Sequence, residues 1–460
     1  MTEAPIERLL EEARARAADK RRSFIWSPDG GVAAPAPART PPGRPLEVLL
    51  SDTQRTLFSY VRDPRLTIRT HEPGARLEAL PDVVVLPRMD RTNPAASAAG
   101  LPAEVWGPLS DGRAVLVLDS SGEGLRFRPH GAEEWHRFLR SRGVPLSKAA
   151  FVTQDRGWRA AYDAWRDGQG LGAERLSIWT HDLYIQRGIA DASRRAEVSF
   201  QRRLAAYAAR AKRRRRRYIS LNRTIRPVKA LFLLKLMQQG LFDAGYVSLG
   251  IVGEVSGGKV VSQDKFADML TQVHGLSHLG AELRPYLERL AAMGPVSLGT
   301  SDEGAAPPPQ EAVLRPVQFK EYGKTWFTVV TESESNNRLH RITEKALKPI
   351  LNFHPFLVLG SLGSLQLLRA YGFETFPEMF DEAYDETVRR RRRFEMVFEQ
   401  TRRLCLTSEA AIARLDEQVA PEVVFNAWWA LMELPALFHS HIEARLIDDL
   451  VDLWVRKAGA

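Results

Sequence analysis

RAVLVLD (113–119) is a short apolar run that stops abruptly on an aspartate. The same form recurs around it, in LEVLLSD (46–52), DVVVLP (82–87) and AAFVTQD (149–155), with LSIWTHD (176–182) as a further candidate strand. An unbroken apolar run of this length suits a parallel strand buried on both faces. The polar residues at its C-terminal end then face a cleft. Helical stretches such as AEEWHRFLRSRG (132–143) separate some of these runs. The chain from Leu46 onward is therefore expected to build an open α/β domain.

A second alternation follows. A charged helix over about 188–215 ends in KRRRRR (212–217), and YISLNR (218–223) reads as a strand. Next come an apolar helix, VKALFLLKLMQQGLF (228–242), and another strand, YVSLG (246–250). Residues 261–293 read as helical, TSDEGAAPPPQEA (300–312) as a surface loop, WFTVVTE (326–332) and PFLVLG (355–360) as strands, and a helix starts near Ser364. Residues 386–460 read as almost wholly helical. At the other end, residues 5–22 form a polar helix with a weak apolar stripe, and the Pro/Gly/Ala-rich 28–45 a linker. The expected fold class is α/β: two Rossmann-like domains with a helical C-terminal extension. The expected divisions are 1–45 (helix and linker), 46–215, 216–385 and 386–460.

The composition, with 44% hydrophobic and 26% charged residues among 460, is that of a globular protein too long for one core. A net charge of +9 attracts nucleic acid, anionic lipid or phosphorylated small molecules alike, and a coding bias toward arginine accounts for much of it. The single cysteine, Cys405, excludes an intrachain disulfide and suits a reducing cytoplasm. The N-terminus is charged and helical, unlike a signal peptide. The most apolar stretch, ILNFHPFLVLGSLGSLQLL (350–368), carries Asn, His, Pro, Ser and Gly, so no membrane span is expected.

Chemistry concentrates in 326–385. A strand ending at Val330 delivers Thr331 and Glu332 to a cleft. Thr343 is placed to cap a helix that starts EKALKPIL, and a helix N-terminus offers unpaired N–H groups and positive potential to a phosphate. Lys345 adds a full charge, and Glu344 suits a pair of vicinal hydroxyls such as a ribose diol. After the next strand, GSLGSL (360–365) puts Gly360 and Ser361 where backbone approaches a ligand closely; it is neither a dinucleotide fingerprint nor a P-loop.

ITEKALKPI (342–350), with HPF (354–356), the GSLGSL turn, GFETF (372–376), and the islands SLNR (220–223) and DEAYDE (381–386), resembles the donor-binding domain of GT-B glycosyltransferases. It is similar in particular to the alpha-1,3-fucosyltransferases and related bacterial and viral enzymes. The resemblance spans about 216–386. It implies a GT-B fold and transfer of a sugar from a nucleotide-sugar, GDP- or UDP-linked, to a glycan or lipid-linked acceptor. Glu344 would hold the ribose, and Lys345 with Arg223 or Arg226 the diphosphate, with no metal or other cofactor. The VVTESESNN (329–337) segment departs from the aromatic–Glu–Asn–Ser pattern common in fucosyltransferases, which leaves the sugar open.

An inverting transfer also needs a base for the acceptor hydroxyl. The candidates, in order, are Glu123, Asp119 and Asp155, with Asp182 similarly placed at a strand end. Loop carboxylates more often cap or face water. HGLSH (274–278) and HSH (439–441) lack the companions of a metal site. The arginine runs 213–217 and 389–393 lack interleaved aromatics, so nucleic acid is not expected; they read as solvated charge or as a peripheral contact with anionic lipid at the inner membrane face. The aromatic stretch FNAWWALMELPALF (425–438) reads as core or interface. The alternatives to an enzyme are a non-catalytic nucleotide- or sugar-binding protein on the same fold and a nucleic-acid-associated protein.

Overall fold

The apolar runs form two all-parallel sheets. The computed structural model describes residues 3–24, 43–51, 56–61, 63–72, 76–87, 94–122, 126–171, 174–183, 185, 188, 196–212, 214–254, 259–298, 320–335, 337 and 339–456. Glu123, the loop 300–312 and most of the 28–45 linker lie outside them. The first sheet has six strands: β1 (Leu46–Leu50), β2 (Leu66–Thr70), β3 (Val83–Pro87), β4 (Val115–Ser120), β5 (Ala149–Thr153) and β6 (Ser177–Thr180), in the order β2-β1-β3-β4-β5-β6. The second has four: β7 (Tyr218–Asn222), β8 (Gly245–Leu249), β9 (Phe327–Thr331) and β10 (Phe356–Leu359), in the order β10-β9-β7-β8. The fold is α/β with a helical C-terminal extension, as expected. Strand β2, LTIRT, was not expected. It is a partly exposed edge strand, so it carries Thr and Arg where inner strands carry only apolar residues.

Alternate residues of the inner strands serve opposite faces of the first sheet. Val84, Leu86, Leu116, Leu118 and Phe151 pack against Trp135 and Leu139 of α1 (Pro129–Ser141) and Trp158 and Tyr162 of α2 (Trp158–Gly168). Val83, Val85, Val115, Val117 and Val152 face the other way, onto Leu446, Ile447, Leu450 and Leu453 of the last helix, Ala444–Val455. The end of the chain thus completes the core of its first sheet. Two compact units result. One comprises residues 25–187, 338–341 and 436–460; the other comprises 1–24, 188–337 and 342–435.

In the second unit, α3 (Pro227–Gln238) is buried almost all round, as its near-continuous apolar sequence requires. The N-terminal helix, Glu3–Ser23, docks on its own chain: Ala13 and Ala17 are buried, Arg14 lies over the Trp428 ring, and Arg16 pairs with Glu374 and Glu422. The aromatic stretch is core, with Phe425 and Trp429 stacked and the Trp429 indole donating to Tyr371 O at 2.8 Å.

The arginine runs are solvated charge only in part: Arg215, Arg216, Arg389, Arg391 and Arg392 are exposed, while others turn inward. Arg214, with Arg210, bonds Asp416 from both sides at 2.7 Å, and all three side chains are buried. Arg393 is buried and donates to Thr387 O and Ser335 O at 2.8 and 2.9 Å, while Arg390 reaches Ser335 Oγ at 2.8 Å. These guanidiniums are internal ties because buried carbonyls and carboxylates need donors that reach far and bond in two directions. Among the described residues no helix is long and apolar enough to cross a membrane.

Breaking a buried pair leaves its partner charge uncompensated. Asp416→Ala, which strands two guanidiniums, is expected to cost about 3–5 kcal/mol, read from the midpoint and slope of urea unfolding. A loss below about 1 kcal/mol, the range of an exposed pair, would contradict this burial.

Candidate functional site

The strand order of the second sheet locates a crevice. From β7 the chain goes outward to β8, returns past β7 to β9, and continues outward to β10. The C-terminal ends of β7 and β9 are therefore a topological switch point, where open parallel sheets bind ligands. Asn222 ends β7 and Thr331 ends β9; the Thr331 hydroxyl donates to Asn222 Oδ1 at 2.7 Å, and both are buried. Glycine is needed beside this point. A Cβ on Gly250, just past β8, would sit 1.7 Å from the Arg223 carbonyl oxygen, so only glycine lets the segment after β8 lie against the SLNR turn.

The segment after β9 is fastened to the next helix, α4 (Glu344–Leu351). Glu332 accepts from Thr343 N at 3.0 Å through one carboxylate oxygen and from the Thr343 hydroxyl at 2.6 Å through the other. Thr343 is the N-cap, accepting from Lys345 N. Its extended backbone and free oxygen lone pair close the first turn, as the ITEK reading anticipated. Lys345 Nζ bonds Thr343 Oγ1 at 3.0 Å and Glu344 at 3.1 Å. Burial alone would raise the Glu344 carboxyl, but Lys345 and Lys348 outweigh it and hold it below the usual range. Glu344 is therefore a carboxylate near neutral pH, an acceptor for hydroxyls.

The structure brings together much of the expected donor set. Arg223 and Arg226 follow β7, Glu332 follows β9, and Thr343, Glu344 and Lys345 open α4. Arg226 pairs with Glu334 at 3.2 Å on the exposed side. Gly360 and Ser361 follow β10 beside Glu332: a Cβ on Gly360 would meet Ser364 Oγ at 2.7 Å and Glu332 Cγ at 3.4 Å. The Ser361 hydroxyl is buried without a hydrogen-bond partner among the described residues. The helix that starts there, Ser364–Ala370, does not offer its N-terminus to an anion, because Asp385 already occupies it, accepting from Leu365 N and Gln366 N at 2.9 and 3.1 Å.

Two cations of this region were not singled out from the sequence. Lys229, in the first turn of α3, is only 2% exposed. Lys348 is half-buried one turn beyond Glu344. The electrostatic neighbours of Lys229 are Lys345, Glu332, Glu344 and Arg226; those of Lys348 are Glu344, Lys345, Arg223 and Glu332. Among the described residues, Lys229, Lys345, Lys348, Arg223 and Arg226 are thus set against Glu332, Glu334 and Glu344, an excess of positive charge. The signal for Lys229 was a lysine interrupting an otherwise apolar helix start, PVKALFLL.

In the other unit the candidate bases have different surroundings. Asp119 is fully spent: one oxygen accepts from Thr56 Oγ1 and Leu57 N at 2.5 and 2.7 Å, the other from Ser121 N and Oγ at 2.9 and 2.6 Å. Four donors around a buried carboxylate make it a structural cap. Asp155 is 1% exposed and accepts from Gly157 N and His340 N, both at 3.0 Å, through Oδ1 alone. Its Oδ2 bonds no other described residue. Burial pushes its pKa up against those two bonds and the nearby Arg341. It borders a recess of about 580 Å³ with Arg126, Phe127, Arg128 and His340. Asp182 caps its own turn through Ile185 N. Among the described residues no three His, Cys, Asp or Glu side chains gather as a metal site would require.

Comparison with protein-family models, with curated proteins and with solved structures finds no match to this chain.

The two aspartates separate by experiment. Asp119→Ala strands four buried donors and is expected to lose about 3 kcal/mol of stability. Asp155→Asn keeps an acceptor for both N–H groups and is expected to stay within about 1 kcal/mol of wild type. Urea unfolding of both variants checks this, and equal losses would refute the distinction.

Proposed function

We propose that this protein is a nucleotide-sugar-dependent glycosyltransferase of the GT-B plan, acting in surface glycan or polysaccharide assembly. The observation that carries the reading is the excess of cations around a capped helix start at the switch point of the four-stranded sheet. A nucleoside diphosphate is the ligand whose chemistry matches it: a dianionic bridge for Lys345 and an arginine of SLNR, and a ribose diol for Glu344. The sequence resemblance assigns the same roles to the same residues. The last helix, returning to cover the first sheet, also fits a two-sheet transferase plan.

The chemistry follows from charge. As the acceptor oxygen bonds to the anomeric carbon, the bond from that carbon to the diphosphate breaks and its electron pair leaves with the nucleoside diphosphate. Fixed cations and helix N–H groups stabilise the charge developing on that oxygen without reorganising. For an inverting transfer, the acceptor proton goes to a carboxylate. Asp155, with one oxygen uncommitted among the described residues and its pKa raised by burial, is better poised for this than Asp119. Arg126 and Arg128 beside it suit a polar or anionic acceptor.

Thermal shift against GDP, UDP, CMP and their sugars tests the reading. One nucleotide is expected to stabilise the protein by about 2.7 kcal/mol at a concentration 100-fold above its dissociation constant. Lys345→Ala is expected to abolish that shift with the fold intact, and a shift that survives unchanged refutes the site. Asp155→Asn is expected to keep the shift and lower turnover by about 10²- to 10⁴-fold. A nucleotide that binds with no sugar transfer to any glycan acceptor would favour a binding protein on this fold, and binding to oligonucleotides alone would favour the nucleic-acid reading.

A further inference from the structure

Lys229 stands out among the buried groups because its charge has no mate among the described residues. It lies in the first turn of α3, and its neighbours Ala230, Leu231, Phe232, Leu233 and Leu234 are completely buried. It makes no hydrogen bond or ion pair with another described residue. The carboxylates nearest in effect are already engaged, Glu332 with Thr343 and Glu344 with Lys345. An apolar residue would fill this place at lower cost, since a buried ammonium without a partner is strongly unfavourable. The start of α3 likewise has no side-chain cap.

We propose that Lys229 is an anion-binding residue of the switch-point site, its ammonium completed by the diphosphate of a bound nucleotide-sugar. This rests on the donor reading above and adds a residue that the resemblance does not supply. The surroundings give the proposal a distinctive signature. Burial first, then Lys345, lowers Lys229 to about 7; Glu332 and Glu344 oppose this, and Arg226 adds to it. Lys348 and Arg223 supply further positive charge to the same cluster. At neutral pH the free protein therefore holds Lys229 partly deprotonated. A diphosphate raises its proton affinity, so binding takes up a proton. The complex holds more protons than the free protein, and affinity must fall as pH rises through and above about 7.

The diphosphate of a nucleotide-sugar has no proton that titrates near neutrality, so any uptake belongs to the protein. Calorimetric titration of the full chain with GDP-glucose and UDP-glucose, in buffers of different ionisation enthalpy, reads it directly. Wild type is expected to show buffer-dependent enthalpy near neutral pH and about tenfold weaker binding one unit above the Lys229 value. Lys229→Met is expected to bind about tenfold more weakly at lower pH with no proton uptake, and to melt no lower than wild type without ligand. Lys229→Arg, which cannot lose its proton, is expected to bind without uptake. Binding by wild type without uptake, or uptake undiminished in Lys229→Met or Lys229→Arg, overturns the Lys229 assignment and leaves the donor reading standing. Failure of wild type to bind either nucleotide-sugar removes the donor reading, and this inference with it.

Discussion

The paired bonds from Thr343 to Glu332 govern the second unit. A carboxylate at the end of β9 grips both the backbone N–H and the hydroxyl of the residue that caps α4. Without that grip the chain between strand and helix would not hold Glu344 and Lys345 beside the SLNR turn. The bond from Thr331 to Asn222 joins β9 to β7 at the same level, and Gly250 brings the segment after β8 against Arg223. The site is thus held by short buried contacts at strand ends. Arg393 and Arg390 complete the arrangement by holding Ser335.

Charge in this protein divides by whether it is matched. Arg210 and Arg214 share Asp416, Glu332 is satisfied by Thr343, Asp385 by two helix N–H groups and Asp119 by four donors. Matched groups of this kind specify structure. Among the described residues Lys229 is buried without such a match and Asp155 leaves one oxygen uncommitted, so each retains capacity for chemistry or binding that its neighbours have given up. The distinction is one of stoichiometry, donors against acceptors, because both classes are equally hidden from solvent.

How much could be read in advance follows from distance along the chain. The inner strands were legible because burial on both faces demands apolar residues in unbroken succession, as in Val115–Leu118. The cap at Thr343 was legible because its geometry involves only the next few residues. Strand β2 was not, since an edge strand needs no apolar run. The roles of Asp119 and Asp155 were not separable either: both end apolar runs, and two of the four donors that consume the former, from Thr56 and Leu57, lie more than sixty residues earlier.

The sequence by itself determined the α/β class, the strand ends, the capped helix at ITEK and the helical tail, since these rest on periodicity and on bonds within one turn. Tertiary structure alone decided which charges are spent. The bond from Arg210 to Asp416 spans 206 residues, and the last helix seals the face of a sheet begun at Leu46. ITEKALKPI announced a helix start suited to an anion. That Lys229, from a different helix, lies buried beside it with no partner among the described residues follows only once the strands have brought the two helix starts to one crevice.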